Sequence, residues 1–186
     1  MSIPRPMLSA RNPAVSMLLA LLLGSFALPA GADEDCVDFK WDVSKERILF
    51  AGAPAELTAG KDQASAPLIV PNRLYRLRLQ AQDTVAFAVP PGKPLTGTQS
   101  FAGMATLKIA EPGSYRIAVD VPFWIDVASK GVLLRPTDYQ GQHSCSPPHK
   151  IVVFDLAGAK PFTLQFSNAV MDQVLLTVTL APPRKS

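Results

Sequence analysis

Cysteine, histidine and charged residues are scarce in this sequence, and each shortage excludes a class of protein. The 186 residues include 2 Cys and 2 His, too few for a zinc site of four cysteines or of three histidines. Charged residues make up only 18% of the chain and hydrophobic residues 48%, a balance that excludes an intrinsically disordered protein. The sequence also lacks the G-x-S-x-G nucleophile motif, the phosphate-binding loop and the dinucleotide fingerprint.

The one extended hydrophobic run lies near the N-terminus. Arg5 and Arg11 precede an apolar run over residues 14–28, and the small residues Ala30 and Ala32 follow it. A basic region, a short apolar region and small residues, in this order, are typical of a secretory signal peptide. We predict a signal peptide over residues 1–32, with Ala30 as the alternative cleavage site. The run is shorter than the ~20 residues of a membrane span, so we expect no membrane anchor after cleavage.

Export changes the charge of the protein. Residues 1–32 contain two of the 18 basic residues and none of the 15 acidic ones, so their removal lowers the net charge from +3 to +1. No basic stripe with interleaved aromatic residues remains, and we expect no nucleic-acid partner. The predicted location is the periplasm or the cell exterior. Because an oxidising compartment favours disulfides, we expect a bond between Cys36 and Cys145, the alternative being a reactive thiol or metal ligand.

Alternating apolar and polar residues predict an all-β domain over residues 33–180. The clearest strand covers residues 115–121, where Arg116 and Asp120 lie on the face opposite the apolar residues. Similar runs, separated by turn signals at intervals of about 8–12 residues, are typical of a sandwich or barrel. We predict a single antiparallel, jelly-roll-like β-sandwich of about 8–9 strands, followed by a frayed tail over residues 181–186. The expected core residues are Leu77, Phe87, Leu107, Ile117, Val119, Ile125, Phe154, Leu164 and Val178.

Two segments permit more detailed expectations. Residues 85–89 alternate large apolar residues with alanine, which predicts a strand covered on both faces. Residues 44–49 favour a short helical turn, whereas residues 47–51 also fit a short strand.

Both histidines lie in one segment. His143, Cys145 and His149 fall within seven residues and have the side chains that bind iron or copper. The alternative is a proline-stiffened loop held by the disulfide, with surface histidines and no cofactor.

Trp124 and Asp126 form the second candidate site. If the apolar residues between and beside them face the core, both side chains point to the opposite face of the strand. An aromatic ring beside a carboxylate binds sugars in many sandwich domains, by stacking and by hydrogen bonds to hydroxyls. We predict a ligand patch of Trp124, Asp126 and Tyr139; the alternative is that Trp124 packs beneath a loop.

Several segments carry a resemblance to a known group of proteins. They are residues 38–44, 101–103, 113–116, 123–127 and 149–150. These segments resemble small exported proteobacterial proteins, which are similar to the β-sandwich domains beside secreted peptidases. Some members of the group bear the label homogentisate 1,2-dioxygenase. That label implies a ferrous site of two His and one Glu, onto which only His143 and His149 map here.

Three functional hypotheses follow. The first is a non-catalytic periplasmic binding or accessory module of the cell envelope, with a glycan or protein ligand. The second is a metal-dependent oxygenase that uses His143 and His149 to hold iron or copper. The third is an assembly factor whose exposed apolar surface contacts another envelope protein.

Overall fold

The computed structural model describes residues 39–97, 99–142, 147–158 and 161–182. They form two packed β-sheets and one short helix, which confirms the predicted all-β sandwich. The predicted signal peptide and the whole Cys36–Cys145 pair lie outside the described residues. No helix among the described residues is long and apolar enough to cross a membrane.

Helix α1 (Ser44–Phe50) precedes all the strands. The strands are β1 (Ala55–Thr58), β2 (Leu68–Ile69), β3 (Leu74–Arg78), β4 (Gln80–Ala81), β5 (Phe101–Leu107), β6 (Gly113–Val119), β7 (Trp124–Ser129), β8 (Val132–Leu133), β9 (Asp138–Gly141), β10 (Lys150–Leu156), β11 (Phe162–Ala169) and β12 (Gln173–Leu180).

The strand order is that of a jelly roll. The first sheet has the order β1-β3-β12-β6-β10-β9, and the second has β2-β5-β11-β7-β8, with β4 also pairing to β5. Without the short strands β1, β2, β4 and β9, eight strands remain. The sheet β3-β12-β6-β10 packs against the sheet β5-β11-β7-β8, and this is the strand order of a two-sheet jelly roll.

Two of the four additional strands depart from the predicted, wholly antiparallel sandwich. Strand β1 pairs with β3 in parallel, and β2 pairs with β5 in parallel, whereas all other pairs are antiparallel. Each added strand has only two to four residues. Periodicity therefore detects the framework strands of five to eight residues, but not the two-residue β8, and gives little indication of how the short strands pair.

The sandwich core lies between the sheets and consists of the predicted inward faces. All the expected core residues except Phe87 belong to it. Phe123 and Phe166 meet edge to face there, with ring centroids 5.8 Å apart, which favours a fixed packing of β11 against the start of β7. The strand pattern thus predicts the core correctly wherever a residue lies in a sheet.

Phe87 is the exception because residues 85–89 are not a strand. They follow a 3₁₀ turn (Gln82–Thr84) and lead into a segment across the outer face of the second sheet. The prediction failed because the backbone of Val89 pairs with a side chain instead of a strand. Gln165 on β11 accepts from the Val89 N–H and donates to its carbonyl, both at 3.0 Å.

A second hydrophobic cluster lies on the outer face of the first sheet. It contains Phe39, Val43, Ala118, Ile151 and Val153. Phe39 and Val43 lie in the segment before α1, which covers the outside of β6 and β10, and Phe50 of the helix packs against the same cluster. Residues 44–50 form a helix, so the alternative prediction of a strand over 47–51 is wrong.

A buried ion pair anchors α1. Glu46 is 1% exposed; its carboxylate accepts a hydrogen bond from the Thr179 hydroxyl and lies 3.6 Å from Arg116 Nη1. Arg116 also donates to the Asp42 carbonyl at 2.8 Å.

Ordered hydrogen bonding also extends into the first residue of the predicted frayed tail, because the Ala181 N–H donates to the Ser114 carbonyl at 2.8 Å.

Candidate functional site

Trp124 and Asp126 lie on the outward face of β7, as the alternation predicts. Their neighbours Ile125 and Val127 point into the sandwich core. Trp124 is half-buried, however, and Asp126 is only 8% exposed. The expected exposed ring and carboxylate are thus partly covered, and the cover is a loop.

Asp126 uses both carboxylate oxygens inside the protein. Oδ1 accepts a hydrogen bond from Trp124 Nε1 at 2.9 Å, and Oδ2 accepts one from the Gly92 N–H at 2.9 Å. A carboxylate accepts such bonds strongly because it is ionised. Asp126 therefore orients the indole and holds the loop, and its expected role of binding sugar hydroxyls does not fit this geometry.

Three side chains of the second sheet hold this covering loop (residues 85–97). Gln165 binds Val89, Asp126 binds Gly92, and Asn168 binds the end of the loop. Asn168 Oδ1 accepts from the Thr96 N–H at 2.8 Å, and its amide donates to the Pro94 carbonyl at 3.1 Å. The loop therefore has a defined position although it contains no strand.

The covering loop places Lys93 beside the indole of Trp124. Lys93 Nζ lies 5.6 Å from the ring centroid, and Lys150 Nζ, from the start of β10, lies at the same distance. These are cation–π distances. Lys150 Nζ also donates a hydrogen bond to the Phe123 carbonyl at 2.7 Å, so its ammonium group is fixed from a second direction.

The charges of this cluster favour an anionic ligand. Burial, followed by the nearby Lys93 ammonium, lowers the pKa of Lys150 below its usual value near 10.5, and Asp126 opposes this shift. The carboxylate of Asp126 thus reduces the repulsion between the lysines without removing it.

These groups line a shallow pocket of about 290 Å³, here called the Trp124 pocket. Its lining residues are Lys93, Pro122, Phe123, Trp124, Lys150 and Asn168. The volume is at the lower end of the range for small-molecule sites. The pocket combines an aromatic wall, two cations and an amide, which is chemistry for binding a polar ligand.

Tyr139 does not join this pocket. It lies on β9, at an edge of the first sheet, opposite Val152 of β10, and is 69% exposed. Trp124 and Asp126 belong to the second sheet. The predicted three-residue patch is therefore divided between the two sheets.

The histidine segment is described only in part. His143 and Cys145 lie outside the described residues, whereas His149 is half-buried before β10 and its N–H donates to the Val119 carbonyl at 2.8 Å. Within the described ranges, no group of three His, Cys, Asp or Glu side chains is placed to hold a metal. The iron or copper hypothesis thus depends on residues that lie outside the described part of the chain.

Sequence reasoning missed Lys93, Lys150, Gln165 and Asn168. Lys93 and Lys150 are separated by more than fifty positions, and no periodic pattern connects them. The one available signal was local: Lys93 follows Pro90, Pro91 and Gly92, a combination that predicts a turn beside a strand. Which strand face the turn would cover depends on the sheet order.

No protein-family model matches the chain, and a search of curated protein sequences finds no match.

Proposed function

We propose that this protein is a non-catalytic binding module of the bacterial cell envelope, located in the periplasm, with a glycan ligand at the Trp124 pocket. The observation that carries the proposal is the convergence of an indole wall with Lys93, Lys150 and Asn168 around one open pocket. Aromatic rings beside hydrogen-bonding side chains are typical of sites that bind sugars.

The fold alone does not select this function. Jelly rolls include both lectins and cupin enzymes, so the residues of the site, and not the fold, distinguish between these functions. Asp126, the carboxylate nearest the indole, is engaged by Trp124 and Gly92. Asp126 is therefore placed to hold the indole and the covering loop of the pocket. The proposed binding function requires no chemical step.

The test compares Trp124→Ala with Tyr139→Ala in the exported, processed protein. Retention on purified peptidoglycan sacculi and on a glycan array is measured for each. We expect Trp124→Ala to lose retention and Tyr139→Ala to keep it, because Tyr139 lies on the other sheet. Equal retention by all three proteins would place the ligand elsewhere and overturn the proposal.

Loss of the Trp124 side chain could also act through stability, since its Nε1 is bonded to Asp126. Melting temperatures are therefore measured for every variant, including Trp124→Phe, which keeps an aromatic ring but also loses this hydrogen bond. Reduced retention at an unchanged melting temperature assigns the effect to the pocket.

A further inference from the structure

The Trp124 pocket contains two cations that the described protein does not neutralise. Lys93 and Lys150 each lie 5.6 Å from the indole centroid. Among the described residues, neither lysine forms a salt bridge. Two ammonium groups thus face one small pocket without an acidic partner on its surface.

The nearest carboxylate does not compensate for this charge at the pocket surface. Asp126 is 8% exposed, and its oxygens accept hydrogen bonds from Trp124 Nε1 and the Gly92 N–H. Both of its oxygens are therefore engaged inside the protein, one of them at the N–H edge of the indole. The lowered pKa of Lys150, caused by burial and then by Lys93, is consistent with repulsion that remains within the pocket.

The Lys150 ammonium group is held in position, and so is the backbone on both sides of Lys93, whose side chain is exposed. Lys150 donates to the Phe123 carbonyl at 2.7 Å. The loop that carries Lys93 is fixed on both sides of it, at Gly92 by Asp126 and at Pro94 by Asn168. Holding two like charges together costs free energy, and an anion bound between them would recover it.

We propose that the ligand of the Trp124 pocket is an anionic saccharide, whose carboxylate or phosphate group is bound by Lys93 and Lys150. This inference rests on the proposed function and specifies the ligand's chemistry. The indole and Asn168 line the same pocket, where they contact the sugar that carries the anionic group.

The two tryptophans of the chain provide the assay. Trp41 and Trp124 give two indole N–H signals in a nitrogen–proton NMR spectrum. Trp41 lines a different pocket on the first sheet, with Arg116 and Asp138, so its signal is an internal control. Trp124→Phe assigns the signals. The probes are trigalacturonate, its full methyl ester and glucose 6-phosphate.

We expect trigalacturonate to shift the Trp124 signal saturably, to leave the Trp41 signal in place, and to bind more weakly as salt is raised. The methyl ester should not bind. Lys93→Gln and Lys150→Gln should each weaken binding about tenfold. Lys61→Gln removes an exposed charge outside this pocket and should leave affinity unchanged.

The remaining outcomes separate the hypotheses. Lysine-dependent binding of glucose 6-phosphate without trigalacturonate binding would support the anionic saccharide and assign the anion as phosphate. Equal binding of the ester and the acid, unaffected by the lysine variants, would overturn the anionic inference. If none of the three probes binds but Trp124-dependent retention on glycans persists, only the anionic inference is overturned. If that retention is also absent, the proposed function is overturned as well.

Discussion

The Gly92 N–H donates a hydrogen bond to Asp126 Oδ2 at 2.9 Å, and this contact joins the covering loop to the outer face of β7. Lys93 follows directly, so the same contact sets the position of one of the two pocket cations. The carboxylate of Asp126 therefore helps to set both the position of the covering loop and the position of a positive charge in the pocket.

Gly92→Ala should loosen this attachment. A Cβ at residue 92 would lie 2.7 Å from Asp126 Oδ1, so the loop must lift or the carboxylate must turn away from Trp124. We expect a loss of about 1–3 kcal/mol in the free energy of unfolding and a shifted Trp124 indole signal. Gly141→Ala is the control, because its nearest atom would be the His149 carbonyl oxygen at 3.8 Å. An equal effect of both substitutions in urea unfolding would contradict the prediction.

Gln165→Ala should release the other end of the loop. Gln165 is 1% exposed and makes both hydrogen bonds to Val89, so its loss leaves a cavity and an unpaired carbonyl. We expect a cost of about 2–3 kcal/mol and faster hydrogen exchange at the Val89 amide. Gln173→Ala, at an exposed position of β12, should change neither quantity. Retained protection of Val89 in Gln165→Ala would show that another contact holds the loop.

Glu46→Ala should destabilise the packing of α1. It removes the acceptor of the Thr179 hydroxyl bond and leaves Arg116, which is 6% exposed, without its carboxylate partner. Breaking a buried pair by removing one member costs about 3–5 kcal/mol; here we expect the lower value, since Arg116 keeps its bond to Asp42. Thermal unfolding of Glu46→Ala and of the exposed control Lys45→Ala measures the difference. A similar, small effect of both substitutions would show that the ion pair does not stabilise the packing of α1.

The affinity for an anionic saccharide should depend on pH through Lys150. Burial and Lys93 lower the pKa of Lys150 below 10.5, so its positive charge is lost at a lower pH than that of an ordinary lysine. Binding of the anion should weaken as pH rises through that lowered pKa. The protonated form is also disfavoured in the folded state, so deprotonation in the same interval should raise the free energy of unfolding.

Titration of trigalacturonate across alkaline pH provides the measurement. Lys150→Arg keeps its charge throughout, so the loss of affinity should begin at a higher pH than in the unsubstituted protein, whereas Lys61→Gln should leave the profile unchanged. A profile that is flat in the unsubstituted protein would remove Lys150 from ligand binding.

Metal content and free thiols discriminate the binding module from the oxygenase. For the protein purified from the periplasm, we expect no stoichiometric iron or copper and no free thiol, because Cys36 and Cys145 are predicted to pair in an oxidising compartment. Elemental mass spectrometry and thiol titration on one sample measure both quantities. One metal per chain, lost in the His143→Ala and His149→Ala double variant, would make the oxygenase the better account.

The sequence by itself determined the sandwich and most of its core. Strands such as β6 and β12 alternate apolar and polar residues, and burying the apolar face is the dominant stabilising term. The same alternation placed Trp124 and Asp126 on one outward face. It misassigned Val89, because a side-chain amide satisfies that residue's backbone as a strand would.

Only the tertiary structure decided the composition of the candidate site. The jelly-roll order brings the start of β10 close to β7, and the loop before β5 crosses the outside of β7, so Lys150 and Lys93 meet at Trp124. The same order separates Tyr139 on the edge of the first sheet. Periodicity reports which face of a strand is buried, whereas contacts between distant loops depend on which strands are neighbours, and that is a property of the whole fold.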